Sequence, residues 1–266
     1  DQPRSRGLGD VYKRQERKQS GQGVEKTHNL DQTCGWRNTE KCKDRLAHWK
    51  RTNFIEKLSH YKRSATSRGY TWELTDERAK ELMTTPCVYC DFLNLEDRLN
   101  GIDRIDNAIG YTLENTCSAC KHCNNMKFTW TKEYFLNHVK RIVNPVIETP
   151  PVKLRATVRA LQTLHNNATT RKIDVYMSNE FMATLMNQSC HYCGTAEKLN
   201  GLDRIDSSLG YWPANVVPCC STCNLMKKDL SQDEFLGHAK RITEYQALKS
   251  GSEMRRTHLL RDSTLD

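Results

Sequence analysis

Four Cys-x-x-Cys knuckles recur in two matched pairs, and they constrain this chain more than any other feature. Cys87/Cys90 and Cys120/Cys123 reappear as Cys190/Cys193 and Cys220/Cys223. Between the knuckles lies a second repeat, NGIDRIDNAIGY from Asn100 and NGLDRIDSSLGY from Asn200. Shifting the chain by 100 residues gives 20 identities over the 43 positions from Asn100 to Ile142, which establishes a duplication. Upstream the shift becomes 103, where Leu58, Ala65 and Arg68 meet Leu161, Ala168 and Arg171. The unit runs from about 54 to 142 and again from about 157 to 242. Two large units make a tandem pair rather than a solenoid.

Spacing decides what the cysteines do. In the first copy Cys117, Cys120 and Cys123 offer two overlapping pairs; in the second, Cys219, Cys220 and Cys223 leave only Cys220 with Cys223 at the right interval. The common register yields two four-thiolate sets, which a closed, tetrahedral, structural zinc ion would fill. The competing reading is two disulfides per unit. A disulfide closing a Cys-x-x-Cys is strained and usually redox-active, and the recurrence of the whole set favours zinc. Reduced zinc cysteines favour an intracellular setting. Cys117 and Cys219 remain as buried thiols; Cys34 and Cys42 fit no trusted metal pattern.

A staple is needed because the core is small. Hydrophobic residues make up 37% and the mean hydropathy is −0.77, so a small domain leans on its metal. The 41 Lys and Arg against 32 Asp and Glu leave a net charge of +9, which suits a polyanionic partner without specifying one. No stretch reaches the ~20 apolar residues of a membrane span.

The expected organisation has five parts. Residues 1–45 form a disordered N-terminal segment in which Gly7 to Gln15, GLGDVYKRQ, reads as a translated sequencing adapter, so that the native N-terminus is missing. Unit 1 covers 46–145, a Pro-rich linker 146–151, unit 2 152–245, and a basic tail 246–266. Each unit reads as a helix (about 46–66 or 152–168), a short helix (75–83 or 178–186), a knuckle, and a strand through Asp-Arg-Ile. A Gly-Tyr loop and a second strand or turn follow. One last helix then runs from Asn124 or Asn224 to Ile142 or Ile242, with Phe135, Val139 and Ile142 on one apolar face.

The combined pattern CxxC, DRID, GY, N and CxxCN resembles the HNH, or ββα-metal, endonuclease superfamily in its zinc-stapled branch. The resemblance covers about two thirds of the chain and implies an α+β fold of two tandem HNH-like domains, each preceded by helices. It implies that Asp103 and Asp203 bind a catalytic Mg²⁺ or Mn²⁺, that Asn124 and Asn224 complete that site, and that Asn115 and Asn215 hold the connecting loop. A hard ion that keeps several waters needs no more than one carboxylate and one amide from the protein. It would polarise the scissile phosphate and stabilise the leaving oxygen.

Arg104 and Arg204 depart from the family, which places a histidine base there. Arginine stays protonated; it can fork a phosphate and stabilise transition-state charge. Some restriction enzymes of similar layout pair this arginine with a tyrosine from the preceding helix. Here Tyr70 faces Ile173 and Tyr176 faces Glu73, so the repeats share no tyrosine upstream of the knuckle. Asp106 and Asp206 are shared and suit either a water-orienting base or a turn cap. Lys127 and Lys227, on the face of the metal asparagine, suit phosphate binding; Lys140, Arg141, Lys240 and Arg241 add non-specific DNA affinity. His138 and His238, fourteen residues beyond the asparagine, stand about 21 Å away along a continuous helix and so outside the site.

These residues lead to a divalent-metal-dependent DNA endonuclease, a monomer acting on double-stranded DNA as an internal pseudo-dimer. The sequence resembles DRID-bearing proteins of phages, large DNA viruses and mobile elements. The alternative is a zinc-dependent DNA-binding protein whose nuclease site has decayed.

Overall fold

The computed structural model describes residues 40–149, 158–196 and 199–262. The chain divides into Asp1–Lys50 and Arg51–Asp266. The expected adapter-derived stretch and Cys34 lie outside the described residues. Helix α1 spans Glu40–Thr52, so helix begins inside the segment expected to be disordered.

Both repeats sit in the second unit. The first contributes α2 (Phe54–Ser67), α3 (Asp76–Thr84), β1 (Gly101–Arg104), β2 (Thr116–Ala119), α4 (Lys121–Lys127) and α5 (Lys132–Val143). The second contributes α6 (Val158–Thr170), α7 (Asn179–Met186), β3 (Gly201–Arg204), β4 (Val216–Cys219), α8 (Ser221–Lys227) and α9 (Gln232–Asp262). The strands make two antiparallel hairpins, with Asp103 opposite Cys117 and Asp203 opposite Val217. The fold is therefore mixed, with small antiparallel sheets among helices.

Caps explain where the helices start. Thr75 and Ser178 accept hydrogen bonds from the Arg78 and Phe181 backbone N–H groups, opening α3 and α7. Asn53 accepts from Glu56 N and divides the expected first helix into α1 and α2. The expected last helix is also two helices. Phe128 and Lys228 take φ near +51°, and new caps at Thr131 and Ser231 start α5 and α9. Ser231 with Glu234 forms a reciprocal capping box, 2.9 and 3.2 Å. Helix α9 continues beyond 245, so the expected tail begins as a continuation of it.

The repeats are not separate domains. Phe135, Val139 and Ile142 of α5 join Phe235, Ala239 and Ile242 of α9 and both pairs of knuckles in one buried cluster. The linker is also engaged: Glu148 N donates to Gly194 O at 2.9 Å, and its carboxylate receives Ala196 N at 3.0 Å. Gly194 adopts φ +79°, and a Cβ there would meet the Val146 and Ile147 backbone. Each remaining half has its own smaller core, around Ile102 and Leu58 in the first and Leu202 and Met182 in the second.

Candidate metal centres and active site

Cys87, Cys90, Cys120 and Cys123 bring their sulfurs within 4.8 Å of one another, all buried. Cys90 and Cys120 Sγ stand 3.7 Å apart, as do Cys193 and Cys220. A disulfide would place them at about 2.05 Å, whereas a tetrahedral ion with Zn–S near 2.3 Å sets an edge of about 3.8 Å. The thiols fit zinc. In the second repeat the compact group is His138, Cys193, Cys220 and Cys223, with Cys190 against the same thiols. Each cluster therefore holds a tetrad that could bind zinc. Cys120 and Cys220 also cap α4 and α8, receiving the Cys123 and Cys223 N–H groups at 3.4 Å.

The hairpins carry the first aspartate and the arginine of the repeated Asp-Arg-Ile-Asp motif into a buried polar layer. Asp103 Oδ2 receives the Tyr89 hydroxyl at 2.6 Å, and Lys127 Nζ lies 3.3 Å from Oδ1. Lys127 also donates to Arg104 O at 2.7 Å. The second repeat copies this: Tyr192 to Asp203 at 2.7 Å, Lys227 to Asp203 at 3.3 Å and to Arg204 O at 2.8 Å. Burial pushes the Asp103 carboxyl up, opposed by the Tyr89 hydrogen bond and the Lys127 charge. Burial, with Asp103 beside Tyr89 and Asp203 beside Tyr192, drives both tyrosines well above the ordinary phenol range.

This geometry bears on three expectations. Lys127 and Lys227 are fully buried; their ammonium groups neutralise the aspartates and do not face a phosphate. Arg104 is 7% exposed and donates to the Asn107 and Ile109 carbonyls at 3.0 and 2.9 Å, with its guanidinium 3.7 Å over the Tyr70 ring. Arg204 similarly donates to Leu209 O and lies 5.5 Å over Tyr211. These bonds hold the Gly-Tyr loop. Asp106 and Asp206 cap turns, each accepting the N–H two residues on at 2.8 Å. They take no place in the cleft wall beside Asp103.

Asn115 ties the loop from the other side. Its Oδ1 accepts Asp106 N at 2.8 Å and its Nδ2 donates to Asp106 O and Gly110 O, both at 2.9 Å. Asn215 makes the same three bonds at 2.9, 3.1 and 3.0 Å. The glycine before the tyrosine lets this loop approach the preceding segment, since a Cβ on Gly110 would lie 2.6 Å from Thr71 O. Tyr111 and Tyr211 then pair with Thr71 and Asp174 through their backbones, 2.8 Å each.

The two copies differ above this shared layer. In the first, a cleft of about 650 Å³ is lined by Asp103, Arg104 and Asn124 together with Lys57, His60, Tyr61, Tyr70 and Asn125. Tyr61 Oη receives Ile102 N–H at 3.0 Å. A Cβ on Gly101 would sit 2.7 Å from that hydroxyl and 3.3 Å from Asn124 Nδ2, so the missing side chain makes room for both. Burial pushes the Tyr61 phenol up to about 12, with the Ile102 N–H pulling the other way. Burial and the Arg98 charge lower Lys57 to about 8. At the 103-residue shift, Lys57, His60, Tyr61 and Tyr70 correspond to Ala160, Thr163, Leu164 and Ile173. Asn224 lines a different cleft, with Gly201, His138 and Arg141.

The outer basic residues are uneven. Lys140, Lys240 and Arg241 are exposed, whereas Arg141 pairs with Glu148 at 2.6 Å. The sequence reading missed Tyr89 and Tyr192, which lie inside the knuckles at matching positions; their identity in both copies was the available signal. It also passed over Tyr61, which the second copy lacks. His138 and His238 were placed away from any site by assuming a continuous helix. Thr131 and the Ser231–Glu234 capping box were the signs of its break.

The chain matches no protein-family model. Over 190 residues, 68% of this chain, it is 32% identical to an uncharacterized protein of Acanthamoeba polyphaga mimivirus, and it spans 36% of that relative. Among solved structures it is similar to a chain of the rare-cutting HNH restriction endonuclease PacI, at 22% identity and a TM-score of 0.30, over 39% of this chain and 87% of that one. Among the described residues, no helix is long and apolar enough to cross a membrane.

Proposed function

We propose that this chain is a divalent-metal-dependent DNA endonuclease in which the first repeat holds the competent site. The observation that carries this reading is the cleft in which Asp103, Asn124 and Tyr61 meet, with Lys57 at its wall. Asp103 and Asn124 would hold a Mg²⁺ or Mn²⁺ ion. A carboxylate and an amide on one wall suit a hard cation that keeps most of its waters. Such an ion would supply polarisation of a phosphodiester and stabilisation of charge on the leaving oxygen.

The chain's own residues supply the rest. Tyr89 and Lys127 fix the Asp103 carboxylate from the core side and leave its cleft-facing lone pairs for the cation. Arg104 and Asn115 hold the loop that carries the strand end. Tyr61, from α2, takes the place of the family's histidine: as phenolate it accepts a proton from the attacking water. The Ile102 N–H stabilises that phenolate. Lys57 offers its ammonium to a neighbouring phosphate.

Leu164 and Ala160 give the second repeat neither a proton acceptor nor a cation at the matching places. That favours the decayed-site reading for this half alone: it grips DNA without cutting. The whole chain then nicks one strand. Incubation with supercoiled plasmid tests the nuclease: nicked circles with Mn²⁺ and none with EDTA are expected. Intact plasmid under every metal condition would sink the proposal.

A further inference from the structure

His138 and His238 occupy equivalent places on α5 and α9, yet neither faces its own repeat. His238 Nε2 stands 3.1 Å from Cys123 Sγ in the first repeat, and His138 Nε2 stands 3.1 Å from Cys223 Sγ in the second. His238 is 6% exposed. The helix breaks after Lys127 and Lys227 make this possible, because they turn α5 and α9 across the shared core. Such reciprocity, in which residue i of one copy meets j of the other and j meets i, is the mark of a two-fold interface. Further contacts cross the same boundary. Tyr134 Oη lies 3.3 Å from Thr222 Oγ1, and Gln246 Nε2 donates to Val88 O and Tyr89 O within the first knuckle, at 2.9 and 3.0 Å.

The geometry points to a crosswise tie between two zinc–thiolate centres: each centre is completed outside its ligands by an imidazole from the other repeat. In the first centre Cys87, Cys90, Cys120 and Cys123 saturate a structural zinc ion, so His238 has no coordination position to fill. In the second, His138 groups with Cys193, Cys220 and Cys223, and Cys190, against the same thiols, supplies the fourth sulfur that leaves His138 in the same outer place. A metal-bound thiolate accepts hydrogen bonds and has no proton to give, so the imidazole Nε2–H is the donor. That bond withdraws charge from a buried dianionic centre and fixes the orientation of Cys123 or Cys223. Groups of this kind outside the ligand shell typically change metal affinity by about 10–100-fold. The consequence is architectural. Each repeat completes the other's staple, so the duplication behaves as one metal-dependent unit and neither half keeps its zinc normally alone.

The test uses the whole chain and reads metal, independently of any DNA cleavage. His138→Ala, His238→Ala and the double variant are loaded with zinc, and transfer to a chromogenic chelator is timed. The wild type and all three variants should hold two zinc ions per chain. Each single variant should release one ion about 10–100-fold faster, and the double variant should release both faster. His138→Gln and His238→Gln keep an N–H donor near the same place and should restore slow release, which separates the tie from general loss of packing. In cadmium-113 NMR, cysteine Hβ couplings assign each signal to its knuckles. His138→Ala should shift the signal coupled to Cys190, Cys193, Cys220 and Cys223, and His238→Ala the signal coupled to Cys87, Cys90, Cys120 and Cys123. Unchanged release in the double variant would overturn the proposal. So would cobalt spectra of the wild type showing three sulfurs and a nitrogen, because the imidazole would then be a ligand. A shift confined to each histidine's own repeat would overturn it as well.

Discussion

Lys127 Nζ lies 3.3 Å from Asp103 Oδ1 with the two side chains 0% and 3% exposed, and Lys227 Nζ stands 3.2 Å from Asp203 Oδ2 with the pair equally enclosed. An ion pair this deeply enclosed is weak evidence for net stability, but breaking it is costly because one charge is left buried. Lys127→Met should therefore lower unfolding free energy by about 3–5 kcal/mol, read from denaturant midpoints at constant slope. Adding Asp103→Asn to that variant should recover part of the loss. A Lys127→Met protein as stable as wild type would contradict the assigned pairing.

The loop grip of Arg104 and Asn115 makes a second prediction. Arg104→Lys retains the charge but loses the fork that reaches Asn107 O and Ile109 O. Charge-assisted bonds of this type contribute about 1.5–3 kcal/mol, so a loss of that order is expected, along with faster amide exchange at Ile109 and Gly110. Protection unaltered at both amides would remove the loop role.

Metal removal should unfold more than a local loop. The knuckles lie in the cluster that joins α5 to α9, and structural zinc supplies on the order of 10 kcal/mol of folding free energy. Prolonged chelation should abolish the cooperative thermal transition, and zinc, but not magnesium, should restore it. Persistence of a sharp transition in zinc-free protein would show that the thiols are not a staple.

The acid–base groups of the cleft separate turnover from binding. Tyr61 is pushed up to about 12, so below that value its phenolate fraction rises tenfold per pH unit and kcat should climb with unit slope. Lys57, lowered to about 8, loses its charge as pH rises through that value, so KM for DNA should rise across pH 7–9. Linkage has the same direction: with the folded pKa below the unfolded one, Lys57 weakens folding below about pH 8 and ceases to do so as pH climbs toward its ordinary range. Lys57→Arg should flatten the KM trend and leave the kcat slope intact, whereas Tyr61→Phe should remove that slope and cut kcat at least 100-fold.

What the sequence made legible was whatever both copies repeat. The hairpins, the two thiol clusters and the places of Asp103, Asn115 and Asn124 follow from shared residues at fixed spacing. The helix breaks were harder to see, because the apolar stripe Phe135, Val139 and Ile142 is compatible with one long helix and only the caps interrupt it. That break decided where His138 and His238 went, since a helix-length estimate holds only while the helix continues. The reversal of roles at Lys127 and Arg104 has another cause. Periodicity says which face a side chain leaves from, and burial beside Asp103 depends on how Tyr89 and the hairpin close over it. Tyr61 escaped notice because comparison of the copies favours what they share, and its meaning lies in what the second copy lacks.

Strand nicking by single-repeat variants tests the central claim most directly. Asp103→Ala and Asp203→Ala are assayed separately on supercoiled plasmid with Mn²⁺, each after its two zinc ions per chain have been verified. The account predicts that Asp103→Ala abolishes nicking while Asp203→Ala, retaining the Tyr61 cleft, still converts supercoiled plasmid to open circles. Equal loss in both variants, or activity surviving Asp103→Ala, would contradict a single competent site in the first repeat.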